Sequence, residues 1–528
     1  MVELKNIFTT DKPLGPEKIE KIEPVRELLI TDNVPYKGLM QEPNIIVGRR
    51  GSGKSSIIKS YYLDDQKYHH DLIYTFPIET GISAFITDLN PIFRNLHLVE
   101  NVYPVWKFII WAGYLHHLVN QEAIDSPEVD NFLSALKIDP GSSNEDSIFK
   151  AVDVAMLPNI RPQIIDKSRI GDHSLDDIIS IVNRDLTIRN RMGIILFDSL
   201  EHLKLDIDAM HPALAGFLAS FAEFSLPASR VRTLCCIPAE VYFPLLEEIS
   251  SAPVKDFSDM QILHWSAREI LQIVAQRLKT FILLHGEHES TSWANSFNLN
   301  THRNVNKFFY EILPNAITNG VGISEDPLAY IMRHTQLLPR HAMIYMNAIF
   351  RGLTPEDIVV RKAVNSERIV KAIHENEAKI SNDIIDGFRN SYSHESEYII
   401  FTHARKVCEG MLKHLDLEFT YNDFIRVYDE HVKGEIYGIF DYRDAMRVLV
   451  ELGAIGRSVS DDTTRYKRGL FEYTSPHKLV TKQRDKFLIH PCFVGAFGRI
   501  KEGLDFAVYP FGADPDEKEY RHWSHEAS

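Results

Sequence analysis

A glycine-containing segment near the amino terminus has the residue types and spacing of a phosphate-binding loop. It reads Gly48, Arg49, Arg50, Gly51, Ser52, Gly53, Lys54, Ser55 and matches the pattern G-x-x-x-x-G-K-[ST]. An apolar run at residues 44–47 precedes it, and residues 55–62 have helical character with Ile57 and Ile58 turned inward. Successive N–H groups at the start of such a helix can surround a phosphate. The sequence therefore predicts binding of ATP or GTP.

Single residues of this loop have separate expected roles. The Lys54 ammonium would neutralise charge on the β- and γ-phosphates, and the Ser55 hydroxyl would help to hold Mg²⁺. Ser56 lies in the first helical turn and completes the nucleotide-binding candidates. Arg49 and Arg50 belong to the same set, although they could instead be solvated at the outer rim, which is the more common place for arginine.

A second candidate follows the continuous apolar run at residues 193–197, which is typical of a parallel strand buried on both faces. Asp198 comes directly after this run, where a P-loop ATPase needs a carboxylate beside the Mg²⁺ shell. The alternative is an ordinary turn aspartate. Ser199 occupies the position where related ATPases often have an acidic residue, so Glu201 is the nearest candidate base. Its alternative role is that of a solvated carboxylate.

Other apolar runs predict the sheet that would position these residues. Residues 71–76, 232–237 and 260–264 read as further strands and alternate with helical segments. This alternation favours a parallel α/β sheet with its ligand at the carboxyl ends of the strands. About a hundred residues, roughly 77–190, form an insertion in this core. Within it, residues 105–119 are too short to span a membrane and are expected to form a buried amphipathic helix.

Composition narrows the class of protein. At 528 residues the chain is too long for one hydrophobic core, so two or three domains are expected. A formal net charge of -15 argues against a protein that coats nucleic acid with its whole surface. Four cysteines without a paired C-x-x-C spacing and a start without a secretory pattern favour a soluble, cytoplasmic protein without a membrane partner.

After the sheet, Ser266 and Glu269 have the spacing of a capping box that opens a helix. Pro339 and Arg340 follow further along. A strand, a phosphate loop, an apolar strand that ends in aspartate and then helices with a Pro-Arg pair resemble AAA+ and STAND-type ATPases. The Leu-Pro-Arg step is similar to origin-recognition initiators and to bacterial STAND and KAP-like ATPases.

This resemblance covers roughly the first two thirds of the chain and carries expectations of its own. It implies that Arg340 contacts the γ-phosphate from a helical lid, that Pro339 packs near the adenine, and that the chain assembles with itself or with a partner protein. Outside the resemblance, the same pair is a proline that opens a helix, followed by an exposed arginine.

The last third reads as helices followed by strands around polar loops, the order expected for a winged helix. Residues 457–486 contain eight basic and four acidic residues. Such a ribbon could lie on DNA phosphates, although winged helices also dock proteins and basic loops are often only solvated. The nucleic-acid candidates are Arg465, Lys467, Arg468, Lys482 and Arg484.

The expected fold is therefore an α/β P-loop NTPase sheet with helices on both faces, a helical lid and a winged-helix-like α+β domain. The expected boundaries are a core at 1–265, a lid at 266–360, a helical connector at 361–396, a winged-helix-like domain at 397–510 and an acidic tail at 511–528. The expected function is that of a regulatory ATPase that binds ATP and Mg²⁺ and acts as a switch, with bacterial genome defence suggested by family analogy. Two alternatives stay open: a DNA-binding loader or initiator, and a scaffold that holds nucleotide without hydrolysing it.

Overall fold

The computed structural model describes most of the chain. The described residues are 2–17, 43–58, 72–76, 99–157, 164, 169–170, 172–198, 213, 215–221, 229–239, 242, 260–320, 322–389, 403–435, 441–459, 465–474, 479–497, 506–510 and 512. Ser199, Glu201 and the acidic tail lie outside them. Among the described helices, none combines the length and apolar character needed to cross a bilayer.

The described strands and helices are numbered in chain order. The strands are β1 (Ile45–Gly48), β2 (Leu72–Thr75), β3 (Arg169–Ile170), β4 (His173–Ser174), β5 (Gly193–Phe197), β6 (Val231–Pro238), β7 (Met260–Ile262), β8 (Ile317–Thr318), β9 (Ser324–Glu325), β10 (Glu418–Thr420), β11 (Ile455–Ser458), β12 (Tyr466–Leu470), β13 (Lys486–Ile489) and β14 (Ala507–Pro510). The helices are α1 (Val2–Ile7), α2 (Lys54–Ile58), α3 (Val99–Asn120), α4 (Pro127–Ala135), α5 (Asn144–Met156), α6 (Leu175–Ile188), α7 (Ala267–His285), α8 (His288–Asn295), α9 (His302–Tyr310), α10 (Pro327–Arg333), α11 (Pro339–Phe350), α12 (Pro355–Val359), α13 (Ser366–Arg389), α14 (Ala404–Leu412), α15 (Tyr421–His431), α16 (Tyr442–Glu451) and α17 (Pro491–Phe497).

The centre of the molecule is a five-stranded sheet with the order β2-β5-β6-β1-β7. All of its strand pairs are parallel. Residues on β1 alternate between its two faces: Ile45 and Val47 join a core with the insertion helices, while Ile46 joins a core that continues through the lid. A parallel sheet with helices against both faces confirms the expected α/β fold.

The insertion covers one face of this sheet. Its longest helix, α3, packs along α5 and is buried on nearly all sides, so the expectation of a buried helix is confirmed and only its amphipathic character is wrong. Within it, the Trp106 Nε1 donates to the Ala213 carbonyl at 2.8 Å. Lys107 is tolerated there because its ammonium reaches Asp176 at 2.7 Å.

The lid covers the other face. Its first helix, α7, begins with the predicted capping box, in which Ser266 and Glu269 satisfy each other's backbone N–H groups. The amino-terminal segment is tied to the lid as well, because the Asn347 side chain accepts from Leu14 N and donates to Gly15 O, both at 2.9 Å. Residues 2–17 therefore pack with the lid, although they precede the sheet in sequence.

The segment expected to be a polar connector is the 24-residue helix α13. Ile369, Ile373 and Ile380 on this helix are buried, and it packs against α11 of the lid and α17 of the C-terminal domain. Its close contact with α17 occurs at Gly495, where a Cβ atom would lie only 1.6 Å from the Glu377 Oε2. The helix therefore joins two domains by packing and not by a loose linkage.

The described residues of the C-terminal domain form four helices, α14 to α17, beside a second five-stranded sheet. The strand order is β10-β13-β11-β12-β14, and its pairs are antiparallel except for β12 with β14. Strands were expected here, and β11 forms antiparallel pairs with β12 and β13, although β12 contains Lys467 and Arg468 of the basic stretch. The short strands β10 and β14 were not expected, and they enlarge the predicted ribbon into a mixed sheet.

Candidate nucleotide-binding site

The phosphate loop lies between the carboxyl end of β1 and the first turn of α2. Gly51 and Gly53 have φ angles of +87° and +89°, in the left-handed region that glycine adopts readily. Ser52 N donates to Arg49 O at 3.0 Å and closes the turn. The loop needs its glycines because this backbone conformation strains residues that carry a side chain.

Lys54 is buried inside this loop, with only 7% of its surface exposed. Its Nζ donates to Gly48 O at 2.9 Å and to Arg49 O at 3.3 Å. A buried ammonium requires such acceptors, since a buried charge without partners is very costly. The lysine is therefore held in the centre of the loop by carbonyl groups that an incoming phosphate could replace.

Two residues just after β7 support the loop from below. The Trp265 Nε1 donates to Ser52 O at 2.8 Å, and Leu263 N donates to Val47 O at 2.7 Å. Between them, His264 is half-buried, and its loss of solvent, with the nearby Arg49 charge, lowers the pKa of its imidazole to about 4. These supports could not be predicted from the sequence, because tryptophan and histidine after a strand have no spacing that marks a site.

Asp198 lies at the same edge of the sheet, immediately after β5. Phe197 is level with Cys235 on β6, which is level with Ile45 on β1. One strand separates β5 from β1, and strands are about 4.8 Å apart, while β1 continues from Ile45 to Gly48 at about 3.3 Å per residue, so the two strand ends are roughly 14 Å from each other. The parallel sheet, the loop between β1 and α2 and the aspartate after β5 together form the P-loop NTPase fold.

Arg340 enters the site from the lid. A Cβ atom on Gly51 would lie 3.3 Å from the Arg340 Cβ and 3.6 Å from its Nε, so the arginine stem lies against the loop. Pro339 is the first residue of α11, as the sequence indicated. The roles of Arg340 at the γ-phosphate and of Pro339 at the adenine stay predictions.

Arg49 and Arg50 are half-buried, and their contact with phosphate stays a prediction. The Arg49 Nη2 donates to Gln336 Oε1 at 2.6 Å, and its guanidinium lies over the Tyr473 ring at 5.1 Å from the centroid. The Arg50 Cδ lies 3.3 Å from where a Cβ on Gly387 would be. Arg49 therefore reaches the lid and the C-terminal domain, while Arg50 lies against the long helix α13.

Ser52 and Ser55 differ in exposure. The Ser52 Oγ is buried and has no hydrogen-bond partner among the described residues. Ser55 is half-buried and Ser56 is buried in the first turn of α2. A buried hydroxyl that lacks a partner beside a buried lysine suits a bound phosphate oxygen, since buried polar groups are normally hydrogen-bonded.

The basic candidates of the C-terminal sheet do not behave alike. Lys467 is buried, its ammonium pairs with the Glu418 carboxylate and it lies 4.4 Å from the centroid of the Phe506 ring. It is therefore engaged inside the domain and is not part of an exposed set. The remaining candidates are exposed: Arg465, Arg468, Lys482 and Arg484.

Comparison with known proteins gives distant similarities. No protein-family model matches the chain. The putative transposon gamma-delta 80.3 kDa protein of Escherichia coli K12 is 20% identical over 303 residues, which are 54% of this chain and 42% of that protein. The chain thus spans less than half the length of this curated relative.

Two archaeal structures are similar over most of the chain. One is the Aeropyrum pernix ORC2 protein in ADPNP–ADP complexes, at 12% identity and a TM-score of 0.36, covering 88% of this chain and 90% of that one. The other is Cdc6p from Pyrobaculum aerophilum, at 11% identity and a TM-score of 0.26, covering 92% and 95%.

Proposed function

We propose that this chain is an ATP-binding regulatory ATPase of AAA+ or STAND character that acts as a nucleotide-dependent switch. The observation that carries the proposal is the buried Lys54 ammonium, held by the Gly48 and Arg49 carbonyls at the carboxyl end of a parallel sheet. The Lys54 ammonium would leave these two neutral carbonyl groups for the phosphates, because hydrogen bonds to a charged acceptor are stronger.

The loop would bind the phosphates by its own backbone. N–H groups from Gly51 to Ser55 lie at the start of α2, where backbone donors and the helix dipole favour an anion. The buried Ser52 hydroxyl would donate to a phosphate oxygen. Mg²⁺, held by the Ser55 hydroxyl and the Asp198 carboxylate, would neutralise phosphate charge.

The lid gives the site a means to distinguish ATP from ADP. Arg340 lies against Gly51 and would add positive charge on the lid side of the terminal phosphate. A contact made only with the γ-phosphate gives the two nucleotides different affinities for the closed arrangement, and such a difference shifts a conformational equilibrium. Glu201, outside the described residues, is proposed as the base that activates water.

The proposal is tested by measuring binding and hydrolysis separately. Lys54→Ala should weaken Mg-ATP binding in calorimetry by at least about tenfold, since a hydrogen bond to a charged group contributes about 1.5–3 kcal/mol. The charge-matched control is Lys371→Ala, an exposed lysine on α13, which should bind like wild type. Equal binding by Lys54→Ala would refute the site.

Phosphate release then distinguishes the enzyme from a scaffold. Wild type should release phosphate from ATP, and Glu201→Gln should bind ATP but release phosphate at least about a hundredfold more slowly, at the low end of the range for general acid–base catalysis. Wild-type binding without phosphate release would favour the non-hydrolysing scaffold. Assembly with itself or with a partner protein is part of the proposal and is measured as mass with and without Mg-ATP.

A second candidate function is duplex DNA binding through the C-terminal sheet. The exposure of Arg465, Arg468, Lys482 and Arg484 supports it, because exposed cations can reach backbone phosphates. Duplex binding that is ATP-dependent and weakens with added salt is expected in that case. Binding that does not respond to salt would count against it.

A further inference from the structure

Three consecutive residues of the phosphate loop contact parts of the molecule outside the sheet. Arg49 bonds to Gln336 in the turn before α11. Arg50 lies beside Gly387 near the end of α13, and Gly51 lies beside Arg340 on α11. The loop that would hold the phosphates therefore also forms a contact surface for the lid and for the long helix behind it.

The Arg49 contact extends into the C-terminal domain. Gln336, which accepts from Arg49, donates through Nε2 to Leu452 O at 2.9 Å and to Gly453 O at 3.3 Å. The guanidinium itself lies over the Tyr473 ring of that domain. One side chain of the phosphate loop thus touches the lid and the C-terminal domain at once, and the glutamine joins all three.

The main chain of Arg49 is tied to the place where phosphate would bind. Its carbonyl accepts from the Lys54 ammonium at 3.3 Å and from Ser52 N at 3.0 Å. A phosphate that takes the Lys54 ammonium removes hydrogen bonds from the Gly48 and Arg49 carbonyls. The peptide that carries the Arg49 side chain is therefore held by different bonds in the two states of the site.

Three histidines surround the Arg49 guanidinium. His341 of the lid and His490 of the C-terminal domain are buried and His264 beside the sheet is half-buried, and loss of solvent, with the Arg49 charge, lowers the pKa of each imidazole below its usual value. Neutral imidazoles do not repel an arginine. His490 Nε2 is in addition 2.7 Å from the Tyr473 hydroxyl, the residue whose ring faces Arg49.

The turn that carries Gln336 has a strained backbone. Leu337 has a φ of +51°, which a branched side chain adopts only when its surroundings hold it there. Its N–H donates to the Thr335 Oγ1 at 3.2 Å, and Gln336 N donates to His341 Nδ1 at 3.3 Å. Strained backbone of this kind is concentrated at ligand-binding and switch regions, and here it lies next to the Arg49 contact.

We propose that Arg49 is a positioning residue that transmits the state of the nucleotide site through Gln336 to the C-terminal domain. Phosphate binding at Lys54 changes the bonds of the Arg49 carbonyl, and the Arg49 side chain carries the change to the Gln336 turn and to Leu452 and Gly453. The inference rests on the proposed nucleotide site. It adds the path by which that site would control the rest of the molecule.

The test is a distance measurement between spin labels on exposed helices of the two ends. Asp153→Cys on α5 and Glu430→Cys on α15 supply the labels, since the native cysteines are buried. In otherwise wild-type protein, Mg-ATP should change the distance distribution relative to Mg-ADP. Gln336→Ala should retain Mg-ATP affinity in calorimetry within about threefold and reduce the nucleotide-dependent change at least threefold.

Further variants separate transmission from simple destabilisation. Arg49→Ala should reduce the nucleotide-dependent change in label distance as much as Gln336→Ala does. The double variant should reduce it no further than either single variant. Arg49→Lys should retain part of the change. Lys371→Ala, which removes the same charge from an exposed position on α13, should keep the change at saturating Mg-ATP. The unfolding midpoints of these variants without nucleotide should not rank in the same order as their nucleotide-dependent changes in label distance.

The outcomes distinguish the two proposals. If calorimetry detects no Mg-ATP binding by wild type, the proposed function and this inference both fall. If wild type binds Mg-ATP but its label distance does not change, or if Gln336→Ala and Arg49→Ala change as wild type does, the inference is overturned and the nucleotide site stands.

Discussion

The basic residues of the phosphate loop and those of the C-terminal sheet look alike in the sequence and differ in the structure. Lys54 is buried and its ammonium donates to two backbone carbonyls, and the Arg49 guanidinium donates to the Gln336 side chain. Arg468 and Lys482 of the C-terminal sheet are exposed. A count of charges therefore does not identify a site, while the acceptors around each charge do.

The physical reason is the cost of burial. A buried cation is retained only where hydrogen-bond acceptors compensate for the lost water, so its position is fixed by several residues together. An exposed cation has little effect on stability and can be exchanged freely. The comparison predicts large effects where polar groups are buried and bonded, and small effects on the exposed surface.

The largest expected effect lies at the contact between β9 of the lid and the C-terminal sheet. Glu325 accepts from the Arg333 Nε at 2.8 Å and Nη2 at 3.0 Å, and the Tyr509 hydroxyl donates to the same carboxylate. Glu325→Ala would leave Arg333 buried without its partner and should lower the free energy of unfolding by about 3–5 kcal/mol in urea denaturation.

The matched control breaks an exposed ion pair. Glu375→Ala removes the partner of Lys371 at 3.9 Å on α13 and should change stability by less than about 1 kcal/mol. Similar losses in both variants would contradict the distinction between buried and exposed charges.

A smaller effect, dependent on pH, is expected at Glu377. Burial raises the pKa of this carboxyl to about 8, and burial lowers the pKa of the neighbouring His334 imidazole well below its usual value. Their 3.5 Å contact therefore joins two neutral groups near pH 7. Between about pH 4.5 and 8 the unfolded state loses the Glu377 proton that the folded state keeps. The contribution of Glu377 to the free energy of unfolding therefore falls as pH rises.

Glu377→Gln removes that dependence. At pH 8 the variant should be more stable than wild type by about 2–4 kcal/mol, and near pH 4.5 the two should be equal within about 1 kcal/mol. Urea denaturation across this range measures the difference. A stability difference that does not grow with pH would show that the buried carboxyl is charged.

The smallest effect is expected on the exposed face of the C-terminal sheet. Arg468→Ala with Lys482→Ala should change the free energy of unfolding by no more than about 1 kcal/mol, because neither side chain is buried. Lys467→Ala, one residue before Arg468, should cost more because it leaves Glu418 without its cation. If the exposed pair cost as much as Lys467→Ala, the comparison would fail.

Local patterns explain which parts of the fold were predictable. The strand before the phosphate loop and the helix after it, the end of β5 at Phe197 and the capping box at Ser266 each follow from residues close together in sequence. Their physical causes, namely helix caps, apolar runs and glycine turns, act over a few residues. The loop was found for the same reason.

The contacts that organise the site could not be predicted in this way. Arg49 and Gln336 are 287 positions apart, and Trp265 meets Ser52 across 213. Lys467 lies in the same basic stretch as its exposed neighbours and gives no local sign that Glu418 is opposite it. Such pairings depend on how domains pack, which no short-range spacing encodes.

The most direct test of the nucleotide site is an experimental structure with Mg²⁺ and a non-hydrolysable ATP analogue. The site described here predicts that the phosphates lie within hydrogen-bond distance of the N–H groups from Gly51 to Ser55. The Lys54 ammonium should have left the Gly48 carbonyl for a phosphate oxygen, with Mg²⁺ between Ser55 and Asp198. An analogue bound elsewhere, or a loop unchanged with Lys54 still on Gly48, would contradict it.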